Sequence, residues 1–312
     1  MITRTRTLTE KITFEDNKTK AINLPRDAYI SRIDLIAKFT IKTNASTTPV
    51  YNDDDVLRLI KNIRIVSGST PFVDAPGRWL YYKAYYEFPK EPRKDSVPTE
   101  TNKTQDVYVV IPIHFGVAPN NKYDPTCVLA AREKSSLYLE VLFGGIDDLA
   151  SAGVDDVSGE IEVTLHELLK APRRIIEPEI FIADKAIDAA YSGYGFTVNL
   201  QHDKTVRRVF MFVTDSSPAV DGTKSDDIVS AFKLVQTTPQ LVEVLVQSWV
   251  AEKEDDRMRY NKAPPTGVAV IDAEEIVGRI LMYTGKREGQ LQLQMTTTGS
   301  GGLSLLYHGF KI

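Results

Sequence analysis

Asp54-Asp55-Val56-Leu57-Arg58-Leu59-Ile60-Lys61-Asn62-Ile63, followed after a loop by Trp79-Leu80-Tyr81-Tyr82-Lys83, is a stretch that the chain carries twice. The second copy reads Asp226-Asp227-Ile228-Val229, then Phe232-Lys233 and Val235, then Trp249-Val250-Ala251-Glu252-Lys253. The chain has only two tryptophans, one in each copy. Self-similarity of this kind is the signature of a repeated structural unit. Trp79 and Trp249, with Asp55 and Asp227, are the expected structural anchors of the two copies. The acidic cluster Asp53 to Asp55 reads as a cap on a short helical turn over 56–59, with the rest of its charge solvated. A calcium loop would need further spaced oxygen ligands and a glycine turn.

Working outward, the segment 29–43 places Ile33, Leu35, Ala37, Phe39 and Ile41 in alternation, the pattern of a half-buried strand. Val107, Val109, Ile111 and Ile113 repeat it over 106–113. So do Leu137, Leu139, Val141 and Phe143, then Ile161, Val163 and Leu165. The spacing of Trp79, Tyr82, Tyr85 and Tyr86 predicts a short helix over 78–88 with an aromatic face on a sheet. The acidic stretch 146–158 reads as loop. Residues 170–179, with Pro172 and Pro178, read as linker.

The second half follows the same order. Val206-Arg207-Arg208-Val209 mirrors Ile30-Ser31-Arg32-Ile33, and Leu291, Leu293 and Met295 echo Leu137, Leu139 and Val141. Leu303 to His308 aligns with Ile161 to His166. A helix is expected over 248–260, with the charge run 252–259 solvated. Gly299-Ser300-Gly301-Gly302 reads as a hairpin-like turn. The expectation is an N-terminal domain over 1–172, including an N-terminal arm, and a C-terminal domain over 173–312.

The length of 312 residues is that of about two domains. Helices of regular length never alternate with the strands, which disfavours a parallel sheet. Eight antiparallel strands in two packed sheets make a jelly roll, so the predicted fold class is all-β: two tandem eight-stranded jelly-roll β-sandwiches with short helices in connecting loops. A net charge of −4 argues against a protein that coats nucleic acid. The single cysteine, Cys127, excludes an intrachain disulfide and a cysteine metal cluster. Met1 to Glu15 lacks the apolar core of a signal peptide, so a soluble cytoplasmic product is expected. Arg4, Arg6 and Lys11 mark a polar arm that frays, or reaches a neighbouring subunit or an anionic surface. The sequons at Asn17, Asn44 and Asn102 matter only where a glycosylation machinery is met.

These residues carry a resemblance. The strand over Ile30 to Ile41 after Leu24-Pro25-Arg26-Asp27-Ala28-Tyr29, the block Asp55 to Ile63, the segment Gly77 to Tyr86 and the terminal strand ending at Ile312 are similar to the double jelly-roll major capsid proteins. These are the proteins of the tectivirus, corticovirus and adenovirus lineage, with its turreted icosahedral archaeal relatives. The resemblance spans nearly the whole chain and rests on pattern rather than an invariant motif. It implies a virion protein: a homotrimer whose six jelly rolls form a pseudo-hexameric capsomer of an icosahedral shell, over an internal membrane. The implied partners are the chain itself, neighbouring capsomers, minor capsid or vertex proteins and membrane lipid, with no sequence-specific nucleic acid. A subunit of this kind needs no cofactor and no catalytic centre.

The chemistry-bearing residues agree with that expectation. His114, His166, His202 and His308 lack metal-ligand spacing. No nucleophile elbow or phosphate loop is present. Asp147-Asp148 and Asp155-Asp156 read as solvated. A tandem β-sandwich that binds carbohydrate or a receptor, using Tyr123, Tyr191 and Tyr194, is the alternative.

Overall fold

The computed structural model describes residues 2–116, 127–172, 175–200, 205–237, 242–273, 282–283 and 291–311. His202 and Tyr123 lie outside them. The chain divides into two compact units, Met1–Pro178 and Glu179–Ile312.

In the first unit one sheet is ordered β1 (Thr3–Thr7), β11 (Val154–Leu168), β4 (Tyr29–Thr43), β8 (Thr104–His114), with β2 (Ile12–Thr13) also on β11. The other runs β7 (Thr70–Ala75), β6 (Ile60–Ser67), β9 (Tyr138–Phe143), β3 (Thr19–Asn23). The short strands β5 (Val50–Tyr51) and β10 (Ala150–Ala152) pair apart from both. Alternation decides the layers: Leu35, Ala37, Phe39 and Ile41 of β4 are buried, while the residues between them face outward. Phe14 ties the sheets together, edge-on to Phe39 of β4 at 5.7 Å and to Phe143 of β9 at 5.2 Å.

The second unit repeats the plan strand for strand. One sheet is β12 (Glu177–Ile187), β20 (Gly301–Lys311), β14 (Thr205–Thr214), β17 (Val268–Asp272), with β18 (Met282–Tyr283) on β14. The other is β16 (Val242–Ser248), β15 (Val229–Gln236), β19 (Leu291–Thr297), β13 (Tyr191–Asn199). Substituting β12, β13, β14, β15, β16, β17, β19 and β20 for β1, β3, β4, β6, β7, β8, β9 and β11 converts one order into the other. In both units the chain crosses between sheets at nearly every connection and makes one hairpin, β6 to β7 or β15 to β16. This is the jelly-roll sandwich. One cluster joins Val209, Met211, Leu305 and Ile271 from one sheet to Phe232, Leu234, Leu293 and Met295 from the other, with Trp249 at its side. The unbroken run Val209-Phe210-Met211-Phe212-Val213 in β14 is buried on both faces.

A helix follows the hairpin in each unit: α1 (Gly77–Glu87) and α3 (Trp249–Tyr260), where expected. Ser248 caps α3, its hydroxyl accepting from the Ala251 amide at 3.1 Å. Gly77 opens α1 because a Cβ there would lie 2.5 Å from the Ile60 carbonyl oxygen.

Several expectations are corrected. The stretch 146–158 is not loop but a turn of helix, α2 (Ile146–Leu149), then β10 and the start of β11. Asp148 makes the helical turn, accepting from the Gly145 amide at 2.8 Å and pairing with Lys61. The linker at 170–179 already contains the start of β12, and β7 and β16 were not foreseen. Gly299 to Gly302 is a crossing between sheets rather than a hairpin, because β19 and β20 belong to opposite layers. The run 252–259 is not wholly solvated: Glu252 and Asp256, one turn apart, are buried, and Asp256 accepts from the Val270 amide of β17 at 2.9 Å.

Candidate functional site

The repeated acidic-aromatic stretch is built from a tight turn, a strand and a helix. Asp54 adopts a left-handed conformation before the 3-10 turn Asp55–Leu59 and makes no side-chain cap. Its carboxylate instead points inward, accepting from Arg78 Nε at 2.9 Å and from the Tyr82 hydroxyl. Arg78 and Asp54 side chains are almost fully buried and lie 2.6 Å apart at Nη2, with Asp53 at 3.2 Å. Expected capping and solvation thus give way to a buried ion pair, because Arg78 on α1 offers a fixed fork of donors. The Tyr82 hydroxyl is pushed well above its ordinary range by burial, then by the Asp54 charge.

In the second unit Asp226 holds the equivalent place. It accepts from Trp249 Nε1 at 2.8 Å, from Lys253 Nζ at 2.6 Å and from the Gly267 amide at 2.9 Å. Burial alone would raise this carboxyl, but the Lys253, Trp249 and Gly267 donors outweigh it and hold it below the usual carboxylate range. Each helix therefore presents two donors one turn apart, Arg78 with Tyr82 and Trp249 with Lys253. Trp79 and Trp249 are both buried. Asp55, half-buried, pairs with Lys94 at 3.1 Å, and Asp227 is exposed. The inward carboxylates are one residue earlier than the sequence reading placed them. The signal that would have found them is the spacing of the helix donors, which lie one turn apart.

The arm residues are committed within the fold. Thr3 to Thr7 pair with β11 from Leu168 to Thr164 as a strand, not a free arm. Arg4 and Arg6 bridge buried Glu167, at 2.7 and 2.5 Å, to Asp27. The hydrogen bond from Arg4 is the main cause that holds the Asp27 carboxyl down to about 2, while bonds to Glu167 first and Asp27 second raise the Arg4 guanidinium. Lys11 pairs with Glu160. These contacts correct the picture of a detached basic arm: alternating threonines suit an edge strand, and buried Glu167 needs cationic partners.

The matched histidines lie on matched rows. His166 stands opposite Arg32, which stands opposite His114. His308 stands opposite Arg208, opposite Asp272. In the first unit His166 Nε2 lies 2.8 Å from Asp34 and 2.7 Å from Arg32. In the second, Asp272 takes Arg208 at 2.8 Å and Arg207 at 3.2 Å. Among the described residues no cluster of histidine, cysteine and carboxylate side chains is placed to hold a metal ion, and no helix is long and apolar enough to cross a membrane.

A groove of about 460 Å³ opens beside this row. Its walls are Phe88, Pro89, Pro92, Val110 and Pro112, with Arg32, Asp34 and Lys90 around them. Arg32 lies over the Phe88 ring at 5.5 Å. Residues 93–95 cover the outer edge of β8 with backbone hydrogen bonds to Tyr108 and Val110.

No family model and no curated protein matches the sequence. Solved structures do match. The chain is similar to the STIV MCP with TM-score 0.83 and 14% identity, over 99% of this chain and 97% of that one. A structure of Sulfolobus Turreted Icosahedral Virus gives TM-score 0.82 and 16% identity over 99% and 90%. The major capsid protein P2 from bacteriophage PM2 gives TM-score 0.60 and 13% identity over 100% and 98%. Strand order within each unit and the match over both chains together establish that this protein has the double jelly-roll fold of these viral major capsid proteins.

Proposed function

We propose that this chain is a structural virion protein, the major capsid subunit, acting as a homotrimer. Three chains supply six jelly rolls, and a ring of six similar units gives the pseudo-hexameric capsomer that tiles an icosahedral shell. The observation that carries this reading is the duplication itself: two units of the same strand order in one chain. It is supported by similarity over 99% of this chain and 97% of a major capsid protein. The polar clusters fit the role, since Asp54, Asp226 and Glu167 each hold their own chain together. They brace a scaffold. The partners are further copies of the chain, then minor capsid or vertex proteins and the lipid of an internal membrane.

Native mass spectrometry and electron microscopy of the purified protein test the proposal. Trimers with a roughly hexagonal outline, or assembly into shells, are expected. A stable monomer at all concentrations would overturn it.

A further inference from the structure

The duplicated helices sit in equivalent places but differ sharply in cover. In α1 all but two of its eleven residues are buried, and Leu80 is 1% exposed. The matching residue of α3, Val250, is 71% exposed, and Met258, which matches Phe88, is 73% exposed. Val250, Glu254 and Met258 follow one another at four-residue spacing, so they form one stripe along the helix. Val246 on adjoining β16 adds a fourth side chain that is 48% exposed. Few large apolar side chains of the described residues are this exposed, and Val246, Val250 and Met258 all fall within residues 246–258 of the chain, on β16 and α3. Isolated exposed apolar residues are ordinary, whereas a cluster marks a contact surface.

The first unit carries a complementary surface. The groove walled by Phe88, Pro89, Pro92, Val110 and Pro112 is apolar and open, and exposed Lys90 stands at its rim. The stripe has an acid at its centre, Glu254, held among the described residues only by an exposed pair with Arg257 at 3.5 Å. On the groove wall Arg32 and Asp34 neutralise each other at 2.8 Å, which leaves the Lys90 charge at the edge. Both are open in the single chain.

We propose that the α3 stripe of one copy seats in the Phe88–Pro112 groove of a second copy, with Glu254 against Lys90. The contact joins different surfaces of two identical chains, so it is heterologous, and such contacts close into rings when the rotation allows. The proposal rests on the homotrimer reading and assigns surfaces to it. Charge pairing at the rim sets register and partner choice, while the apolar stripe supplies the driving force.

Sedimentation velocity on the full chain tests this with two variants, Val250→Asp/Met258→Asp in the stripe and Val110→Asp in the groove. Circular dichroism and melting establish that each variant is folded. Each alone is expected to be monomeric at concentrations where the unaltered chain is trimeric. Mixed, they should yield a one-to-one heterodimer, since one intact stripe and one intact groove remain. Glu254→Lys and Lys90→Glu should each weaken the trimer roughly tenfold or more, and the double variant should restore it. Trimers that survive the stripe variant, or a mixture that stays monomeric, would overturn the assignment while leaving the trimer standing. An unaltered chain that never trimerises would instead overturn the homotrimer reading beneath it.

Discussion

Asp54 shows how burial changes the meaning of a residue. In the sequence it is one of three adjacent acids; in the fold its side chain is 3% exposed against Arg78 at 2%. Removing one member of a buried pair strands the other in a poor dielectric. Asp54→Asn should therefore cost about 3–5 kcal/mol by denaturant unfolding. Asp226, with a 37% exposed side chain, can recruit water, so Asp226→Asn should cost less, about 1–3 kcal/mol. Equal losses would contradict the difference in burial. Asp27 gives a pH signature. Its carboxyl is lowered from 3.8 to about 2 by Arg4. A depressed folded value means that the stabilisation is complete above the unfolded value, near pH 4, and is lost as pH falls toward about 2. Asp27→Asn should flatten that part of the melting-temperature profile and lower the melting temperature at neutral pH, where the carboxylate's contribution is complete. An unchanged acid limb would show that the Arg4–Asp27–Glu167 bridge contributes nothing.

At the scale of elements, close approach outweighs helix propensity. Gly77→Ala adds a better helix former to α1, yet its methyl would lie 2.5 Å from the Ile60 carbonyl. Crowding of this kind costs about 1–3 kcal/mol, so a net loss is expected by thermal melting. Gly299→Ala, where the added atom meets nothing within 4 Å, should stay within about 0.5 kcal/mol of the parent. A neutral Gly77→Ala would mean that α1 can shift on β6. The strands themselves were legible where one face is buried: Leu35 to Ile41, Val107 to Ile113 and Leu139 to Phe143 alternate because water lies on one side only. β7 escaped notice because Thr70-Pro71 starts it with two exposed, weakly patterned residues. The acidic opening of β11 escaped because Asp155 and Asp156 are exposed beyond the sandwich core.

For the whole molecule, duplication predicts equal roles for the two tryptophans. Trp79 is 0% and Trp249 2% exposed, each on the first turn of its own helix, and Trp249 joins the core cluster of its sandwich. Trp79→Ala and Trp249→Ala should each cost about 3–5 kcal/mol, read by unfolding of the altered unit. A near-zero effect at one site would break the equivalence of the halves. The repeat was visible in the linear order of apolar blocks. Identity of strand order was not, since pairing in a jelly roll joins strands distant in the chain.

The sequence by itself determined the all-β class, the doubling, the long strands and the placement of both helices. Period-two burial and the repeated Asp-Trp stretch are local patterns, written in neighbouring residues. Tertiary structure alone decided what the polar residues do. Asp54 meets Arg78 from the far side of the β6–β7 hairpin in the chain, Glu167 meets Arg4 and Arg6 from a neighbouring strand, and Asp256 reaches the Val270 amide between helix and strand. A carboxylate looks the same in the sequence whether it ends in water or beside a buried cation. The partner that settles the matter arrives only when distant strands pair.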